Sequence, residues 1–221
     1  MGKFDLNTIR NRLESLEETI IFRLLDRVQF KQNLPVYQAG AILDDMHKSV
    51  EEICAKYNRF NAVEEKSFFD LGKNEINLTA QIRRNYENFI KTACEIGDDS
   101  EYGSTAEADI SALQTISKRI HYGSVYVAES KFEENPQAFT EAVMANDKEK
   151  VVEMLRNPAK EELVLSRVFE KCEKIQSAYT SQFRRTIDSK IIKEFYKNTI
   201  IPLTVEGELQ YFFRRVSDAN K

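Results

Sequence analysis

The chain has 221 residues, and 32 Lys and Arg against 36 Asp and Glu give a formal net charge of −4, which excludes the basic surface expected of a nucleic-acid-binding protein. Hydrophobic residues make up 42% of the chain, enough to bury a core in one or two domains. Only seven glycines and four prolines are present, which disfavours turn-rich β folds and favours long helices.

Apolar residues recur at steps of three and four along most of the chain, which is the spacing of one helix face. The first such pattern covers residues 6–28 and ends before Pro35. Similar patterns cover residues 46–60 and 82–93, and Gly97 is a predicted helix stop. The first half of the chain is therefore predicted to form three amphipathic helices.

Helix start signals mark the second half of the chain. A capping box with the sequence Ser-Thr-Ala-Glu predicts the start of a long helix over residues 104–132. Asn135 and Asn157 each precede a proline, the pattern of an N-cap followed by proline at the first helical position. The last predicted helix covers residues 189–215, and Pro202 inside it predicts a kink.

No linker, repeat or low-complexity tract separates these predicted helices. The most polar connection, residues 97–103, is short enough to be a loop between two helices. We therefore predict an all-α fold, a single-domain helical bundle over residues 1–221 with long, partly kinked helices.

Several functional classes lack the residues that they need. Cys54, Cys94 and Cys172 are far apart and form no CxxC motif, so they are interpreted as reduced thiols of a cytoplasmic protein. His47 and His121 alone give little material for a metal site or a Ser-His-Asp triad, and Walker and Rossmann glycine motifs are absent. No stretch has the apolarity of a signal peptide or of a membrane span, so no membrane contact is expected.

Polar side chains lie within or beside the apolar faces of several predicted helices. They are Arg10, Arg119, Lys131, Asn157, Glu161, Thr204 and Glu208. Each one alone could be an edge residue whose stem packs while its head reaches water. Together they could instead line a polar pocket inside the bundle, where helical folds build ligand sites. Three cations, two carboxylates and two small polar groups would suit a small dianion that carries a hydroxyl.

Three segments resemble the all-helical chorismate mutases. They are ISALQTISKRIHYGSVYVAESKF (Ile110–Phe132), IIPLTVEGELQYFFRR (Ile200–Arg215) and LNTIRNRLESLEETIIFRLLDR (Leu6–Arg27). The third segment is similar to the first helix of the longer, regulated branch known from fungi and plants. The resemblance covers nearly the whole chain and implies an active site within a helical bundle.

The resemblance implies that the chain converts chorismate to prephenate in phenylalanine and tyrosine biosynthesis, without a cofactor or metal. It implies catalytic roles for Lys131, Glu208 and Arg119. It also implies that the substrate is bound by Arg10, Asn157, Glu161 and Thr204.

Two of these groups, Lys131 and Glu208, would donate hydrogen bonds to the ether oxygen of chorismate. A carboxyl group donates only when it is protonated, so burial is expected to raise the pKa of Glu208. Glu17, two turns after the substrate-binding arginine of the first helix, is expected to orient Arg119 or Arg167.

One spacing departs from the family pattern. The family places the lysine eleven residues after the arginine of its RIH motif, whereas Lys131 follows Arg119 by twelve residues. An extra residue turns an α-helix by about 100°, which would face the two side chains in different directions. A single π-bulge near Gly123 would absorb the extra residue and restore the common face, whereas without a bulge the two side chains diverge and no common pocket forms. The sequence leaves both outcomes open.

The regulated branch also binds aromatic amino acids at an effector site in a dimer interface. Arg59, Gly103 and Ser104 match parts of this site, so a homodimer with a possible effector site is implied by the resemblance. Asn58 stands where an arginine is usual, and Glu107 stands where a threonine is usual.

Two other functions remain open from the sequence. The chain could be a non-catalytic helical interaction module, or a partner subunit that kept the bundle but lost activity. The extra residue between Arg119 and Lys131 favours this alternative, whereas the retained polar set favours an enzyme.

Overall fold

A computed structural model describes residues 6–40, 43–44, 46 and 76–219. These residues form nine α-helices, a short 3-10 helix and no β-strand, so the predicted all-α fold is confirmed. The α-helices are α1 (Leu6–Arg27), α2 (Thr79–Ala93), α3 (Tyr102–Tyr122), α4 (Ala128–Glu134), α5 (Pro136–Met144), α6 (Lys148–Leu155), α7 (Pro158–Ala178), α8 (Ser189–Phe195) and α9 (Ile201–Ala219).

Two π-helical segments interrupt the long helices without ending them. Gly123–Val127 joins α3 to α4, and Tyr196–Ile200 joins α8 to α9. The second segment ends two residues before Pro202, whose ring clashes with the carbonyl four residues earlier and which has no N–H to donate. A π turn, which is wider than an α turn, accommodates the missing hydrogen bond and the bulk of the proline ring. The helix therefore continues through Pro202 as α9.

Two helix starts follow the sequence prediction. The side-chain oxygen of Asn135 accepts a hydrogen bond from the backbone N–H of Ala138, at 3.4 Å, at the start of α5. The side-chain oxygen of Asn157 accepts one from the N–H of Lys160, at 3.0 Å, at the start of α7. Both predicted N-caps are therefore confirmed, each with a proline directly after it.

Other predicted boundaries differ from the structure. The capping box was wrong: α3 begins at Tyr102, and the Ser104 hydroxyl bonds the Glu101 carboxylate instead of capping the helix. The helix starts earlier than predicted because the preceding loop is held by a local hydrogen bond, in which the Asp99 carboxylate accepts from the backbone N–H of Glu101. The α2 helix ends at Ala93, four residues before the predicted stop at Gly97. The helix predicted over residues 46–60 lies outside the described residues, except for position 46.

The amphipathic patterns place two apolar clusters inside the bundle. The larger cluster joins α1, α2, α3, α7 and α8, and its members include Leu24, Tyr86, Ile116, Val168 and Ile192. The smaller cluster joins the first π segment to α4, α5, α6 and α9, and its members include Val125, Phe139, Val151 and Phe212. Burying these faces stabilises the bundle and leaves the polar interruptions between them.

A buried ion pair fastens α1 to α3. The Arg27 side chain, which is fully buried, donates from Nε to Asp109 at 2.7 Å. The carboxylate of Asp109 also accepts from the hydroxyls of Tyr37 and Tyr86, each at 2.7 Å. With its lone pairs satisfied in this way, the buried carboxylate fixes where the two helices cross.

The described residues include neither a membrane-spanning helix nor a cluster of metal-ligating side chains. None of its helices combines the length and the apolarity that crossing a bilayer requires. Within the same residues, His, Cys, Asp and Glu side chains form no group of three that could hold a metal ion.

Candidate active site

A cavity of about 730 Å³ opens where α1, α3, α4, α6, α7 and α9 meet. All seven polar residues that interrupt the helix faces line this cavity: Arg10, Arg119, Lys131, Asn157, Glu161, Thr204 and Glu208. The structure thus brings together on one cavity a set that spans nearly 200 positions of the sequence. The cavity also has apolar walls from residues such as Val127, Leu155 and Val164.

The first π segment explains how Arg119 and Lys131 face the same cavity. It covers Gly123–Val127, so it lies between them and decides the question that the sequence left open in favour of a bulge near Gly123. A single-residue insertion becomes one π turn, and the helix beyond it returns to its original facing.

A close approach of two helices accompanies the π segment. A side chain at Gly123 would overlap with Cγ2 of Thr204 and would lie 3.1 Å from Nη1 of Arg119. Ser124 contacts the same neighbour, because its hydroxyl donates to the backbone carbonyl of Thr204 at 3.4 Å. The absence of a side chain at position 123 therefore lets α9 pack directly beside the RIH arginine.

Arg119 carries buried donors into the cavity. Arg119 is only 7% exposed, and its Nε and Nη1 have no hydrogen-bond partner among the described residues. Burial lowers the pKa of Arg119 from its ordinary value, but a guanidinium in a protein keeps its proton. A buried cation with unused donors is costly, and an anionic ligand in the cavity would supply the missing partner.

Arg10 and Thr204 take different positions on the cavity wall. Arg10, on α1, is solvent-exposed and lies at the rim. Thr204, on α9, is half-buried, and its hydroxyl donates to the carbonyl of Ile200 at 2.7 Å. That bond fixes the threonine rotamer in the last turn before Glu208.

Lys131 and Glu208 form the polar centre of the cavity. The lysine Nζ lies 3.0 Å and 3.1 Å from the two carboxylate oxygens, and it also donates to the backbone carbonyl of Leu155 at 2.8 Å. The glutamate side chain is 3% exposed, and burial raises its pKa to about 6, although the charges of Lys131 and Arg119 oppose the rise. The expected upward shift of the Glu208 pKa is therefore present.

Glu161 and Asn157 lie at the start of α7. The Asn157 side-chain oxygen is used as the N-cap, which places this residue at the cavity wall through the helix start itself. Both carboxylate oxygens of Glu161 accept from Arg156, at 3.1 Å and 2.7 Å. These hydrogen bonds lower the pKa of Glu161, so its carboxylate is ionised while Glu208 resists ionisation.

Two charged groups complete the cavity wall next to α1. Glu17, 1% exposed, accepts from Arg167 at 2.6 Å and 2.8 Å, which is one of the two contacts expected of it. Arg167 also bonds Glu14 at 3.0 Å. The spacing of Glu17 seven residues after Arg10 places both on one helix face, and the structure selects Arg167 rather than Arg119 as the hydrogen-bonding partner of Glu17. Arg156, by contrast, was missed, because it follows α6 outside any periodic pattern.

Two of the residues matched to an effector site, Gly103 and Ser104, lie in the described part of the chain and far from the cavity. Gly103 and Ser104 are exposed in the first turn of α3, and Arg59 lies outside the described residues. Fifteen residues of helix separate Ser104 from Arg119, a distance of about 22 Å along the axis.

A methyl group at Gly123 tests the close packing around the π segment. We expect Gly123→Ala to lower kcat for the substrate implied by the family resemblance by about 10- to 100-fold, because its Cβ must displace Thr204 and Arg119 within the cavity. Steady-state kinetics with a check of thermal unfolding would measure this.

The matched control is the double variant Gly123→Ala/Thr204→Ser, which removes the clashing Cγ2 and keeps the hydroxyl. It should recover much of the lost kcat. Wild-type turnover in the single variant would contradict the proposed packing constraint.

Comparisons with known proteins agree with the geometry. No protein-family model matches the chain. The chain is 32% identical to a chorismate mutase from Trichoderma parareesei, covering 96% of this chain and 93% of that protein. It is 31% identical to chloroplastic chorismate mutase 1 from Arabidopsis thaliana, covering 96% of this chain and 74% of that protein.

The solved structures to which the chain is similar include chorismate mutases. A chorismate mutase from Candida albicans in complex with L-tryptophan superposes with a TM-score of 0.85 at 28% identity, covering 98% of this chain and 93% of that one. AtCM1 with phenylalanine bound in its allosteric site superposes with a TM-score of 0.81 at 31% identity, covering 97% and 98%. The chain therefore belongs to the all-helical chorismate mutase family.

Proposed function

We propose that this cavity catalyses the rearrangement of chorismate to prephenate, and that its seven polar residues bind and activate the substrate. In this pericyclic reaction an ether C–O bond breaks as a C–C bond forms, so the enzyme needs no nucleophile. It must hold a diaxial conformer and stabilise the negative charge that grows on the ether oxygen. The observation that carries the proposal is that Nε and Nη1 of Arg119 are buried without a hydrogen-bond partner among the described residues, in the same cavity as Lys131 and Glu208.

The two arginines would hold the two carboxylates of the substrate. Arg119 presents its buried donors from the floor, and Arg10 presents an exposed guanidinium at the rim. Arginine matches a carboxylate with two parallel hydrogen bonds, which restricts both the position and the orientation of the bound group. Two such anchors at different depths would fold the flexible dianion into its reactive shape.

Lys131 and Glu208 would stabilise the ether oxygen. The lysine ammonium is already held by Leu155 and Glu208, so it needs little reorganisation during the reaction. Glu208 would donate in its neutral form, which its burial favours. A cation and a neutral acid on one oxygen stabilise the developing charge without transferring a full proton.

The hydroxyl on the substrate ring would be bound at the start of α7. The ionised carboxylate of Glu161 is a hydrogen-bond acceptor, and Asn157 lies beside it on the same wall. Thr204 lines the opposite wall from α9. These contacts would set the orientation of the ring relative to the arginine anchors.

The non-catalytic alternative loses its main support in this structure. The extra residue between Arg119 and Lys131 is absorbed by the π segment, and both side chains line the cavity. The relatives described above are named as enzymes, and none of the comparisons favours a module without activity.

Removal of the Lys131 ammonium tests the proposed chemistry. We expect Lys131→Ala to lose at least about 10²-fold in kcat, because one preorganised donor to a developing oxyanion has that effect. Ultraviolet measurement of chorismate loss, without any added cofactor, would show it.

Lys193→Ala is the matched control. Lys193 is a lysine with a single 3.4 Å ion pair to Glu162, outside the cavity, and its removal should leave kcat unchanged. Near-wild-type turnover by Lys131→Ala would contradict the role of the ammonium.

The protonation of Glu208 predicts a pH dependence. Its pKa is raised to about 6, so the carboxyl group is neutral and able to donate below this pH and loses that ability above it. Activity should therefore fall as pH rises through about 6. Glu208→Gln should flatten this limb, since an amide donates at any pH. The same alkaline limb in the variant would exclude Glu208 as its source.

We also propose a homodimer with a weakened effector site that includes Arg59, Gly103 and Ser104. The Candida relative was solved with L-tryptophan, and AtCM1 was solved with phenylalanine in its allosteric site. Asn58 lacks the cation of an arginine, and Glu107 adds a carboxylate that repels an amino acid carboxylate.

Saturating tyrosine or tryptophan should therefore change the apparent affinity for chorismate by less than about fivefold, the lower end of typical allosteric couplings. The double variant Asn58→Arg/Glu107→Thr should respond more strongly. Light scattering should give the mass of two chains. A strong response in the wild type, or a monomer, would contradict these proposals.

A cytoplasmic location is also a proposal. Within the described residues Cys94 and Cys172 are free and buried, which suits a reducing compartment. The Arabidopsis relative is named chloroplastic, so the compartment differs within the family.

A further inference from the structure

Three successive residues, 155–157, lie at the connection between α6 and α7, and each makes a hydrogen bond at the cavity. Leu155 accepts from Lys131 through its carbonyl, at 2.8 Å. Arg156 bonds Glu161, and Asn157 caps α7. The first and last of these residues are already explained by the site described above. Arg156 is a cation at the same cavity that the proposed mechanism does not use.

Arg156 and Glu161 form a bidentate pair at the mouth of the cavity. Nε lies 3.1 Å from Oε1, and Nη2 lies 2.7 Å from Oε2, so each carboxylate oxygen has its own donor. The Arg156 side chain is 53% exposed, and the Glu161 side chain is 20% exposed. Two parallel bonds fix the plane of the carboxylate as well as its position. An ionised carboxylate has about four acceptor sites, so accepting from Arg156 leaves room for a substrate hydroxyl.

We propose that Arg156 is a positioning residue of this site, which holds the Glu161 carboxylate in place to accept the ring hydroxyl of chorismate. This inference rests on the proposed function of the cavity. It assigns a task to a residue whose side chain would otherwise be an ordinary surface cation. Because an exposed ion pair contributes little to folding, removing Arg156 should leave the fold intact.

The charges around Glu161 explain why the site needs this partner. Lys131 approaches it from α4, and Glu208 approaches from α9 as a second carboxyl group. The hydrogen bonds from Arg156 lower the pKa of Glu161 more than any other neighbour does, whereas burial opposes the shift. At Glu208 the effect of burial exceeds that of the neighbouring cations, so the pKa of its carboxyl group is raised to about 6. The two carboxyl groups thus have opposite protonation states over an acidic range of pH, one accepting and the other donating.

The pH dependence of kcat/KM separates positioning from a general loss of stability. The limb on the acid side reports Glu161, which must be ionised, and the limb on the alkaline side reports Glu208, which must be neutral. Arg156→Gln should move the acid limb to higher pH and leave the alkaline limb in place. It should also raise KM by about fivefold, with a smaller change in kcat, since an acceptor for the ring hydroxyl is misplaced.

Two further variants control the experiment. Arg156→Lys keeps the charge but cannot make two parallel bonds, so its KM and its acid limb should fall between those of Arg156→Gln and the wild type. Lys150→Ala removes an exposed cation of α6 outside the cavity, and it should match the wild type. Wild-type KM and acid limb in Arg156→Gln, or the same shift in Lys150→Ala, would overturn the proposal.

A direct titration makes the two failures distinguishable. The pKa of the Glu161 carboxyl, assigned by NMR through comparison with Glu161→Gln, should rise in Arg156→Gln whether or not chorismate turns over. An unchanged Glu161 pKa would overturn the positioning role. If the Glu161 pKa rises in Arg156→Gln but the wild-type chain does not consume chorismate, the proposed function of the cavity is overturned instead.

Discussion

The register of one long helix is the constraint on which the site depends. Arg119 and Lys131 must face one cavity although twelve residues separate them, and an uninterrupted α-helix would turn one of them away by about 100°. The π segment Gly123–Val127 removes this rotation. Its geometry also determines the neighbouring wall, because the bare backbone at Gly123 admits Thr204 of α9 beside Arg119. The π segment therefore places side chains of α3, α4 and α9 on the same cavity: Arg119, Lys131 and Thr204.

Burial then divides the charged groups by function. Nε and Nη1 of Arg119 are buried without a hydrogen-bond partner in the described residues, which is why we propose this guanidinium as an anchor for an anionic ligand. Glu208 is buried next to Lys131 and resists ionisation, whereas Glu161 near the surface is kept ionised by Arg156. Groups of the same chemical type acquire different tasks because their surroundings shift their pKa values apart.

Contacts far from the cavity keep its walls in register. The buried Arg27–Asp109 pair fastens the end of α1 to α3, and Tyr86 adds a hydrogen bond to the same carboxylate. Nearer the cavity, Arg167 of α7 bonds Glu17 of α1. Since Arg10 is carried on α1 and Arg119 on α3, the Arg27–Asp109 pair constrains the distance between the two proposed carboxylate anchors, and the Arg167–Glu17 pair holds α7 against α1.

The sequence by itself determined what depends on neighbours along the chain. Apolar spacing predicted α1 and α2, the Asn-Pro pairs predicted the starts of α5 and α7, and the twelve-residue spacing marked the region of Gly123 as the place where a π-bulge would be needed, whereas α6 was not predicted. Local signals failed at residue 104, where a capping box lies inside α3 because the preceding loop starts the helix earlier. Tertiary structure alone decided which other charges meet, such as Arg27 with Asp109, 82 residues apart. The physical reason is that helix formation is governed by hydrogen bonds and packing over a few residues, whereas burial and ion pairing depend on which helix faces come together.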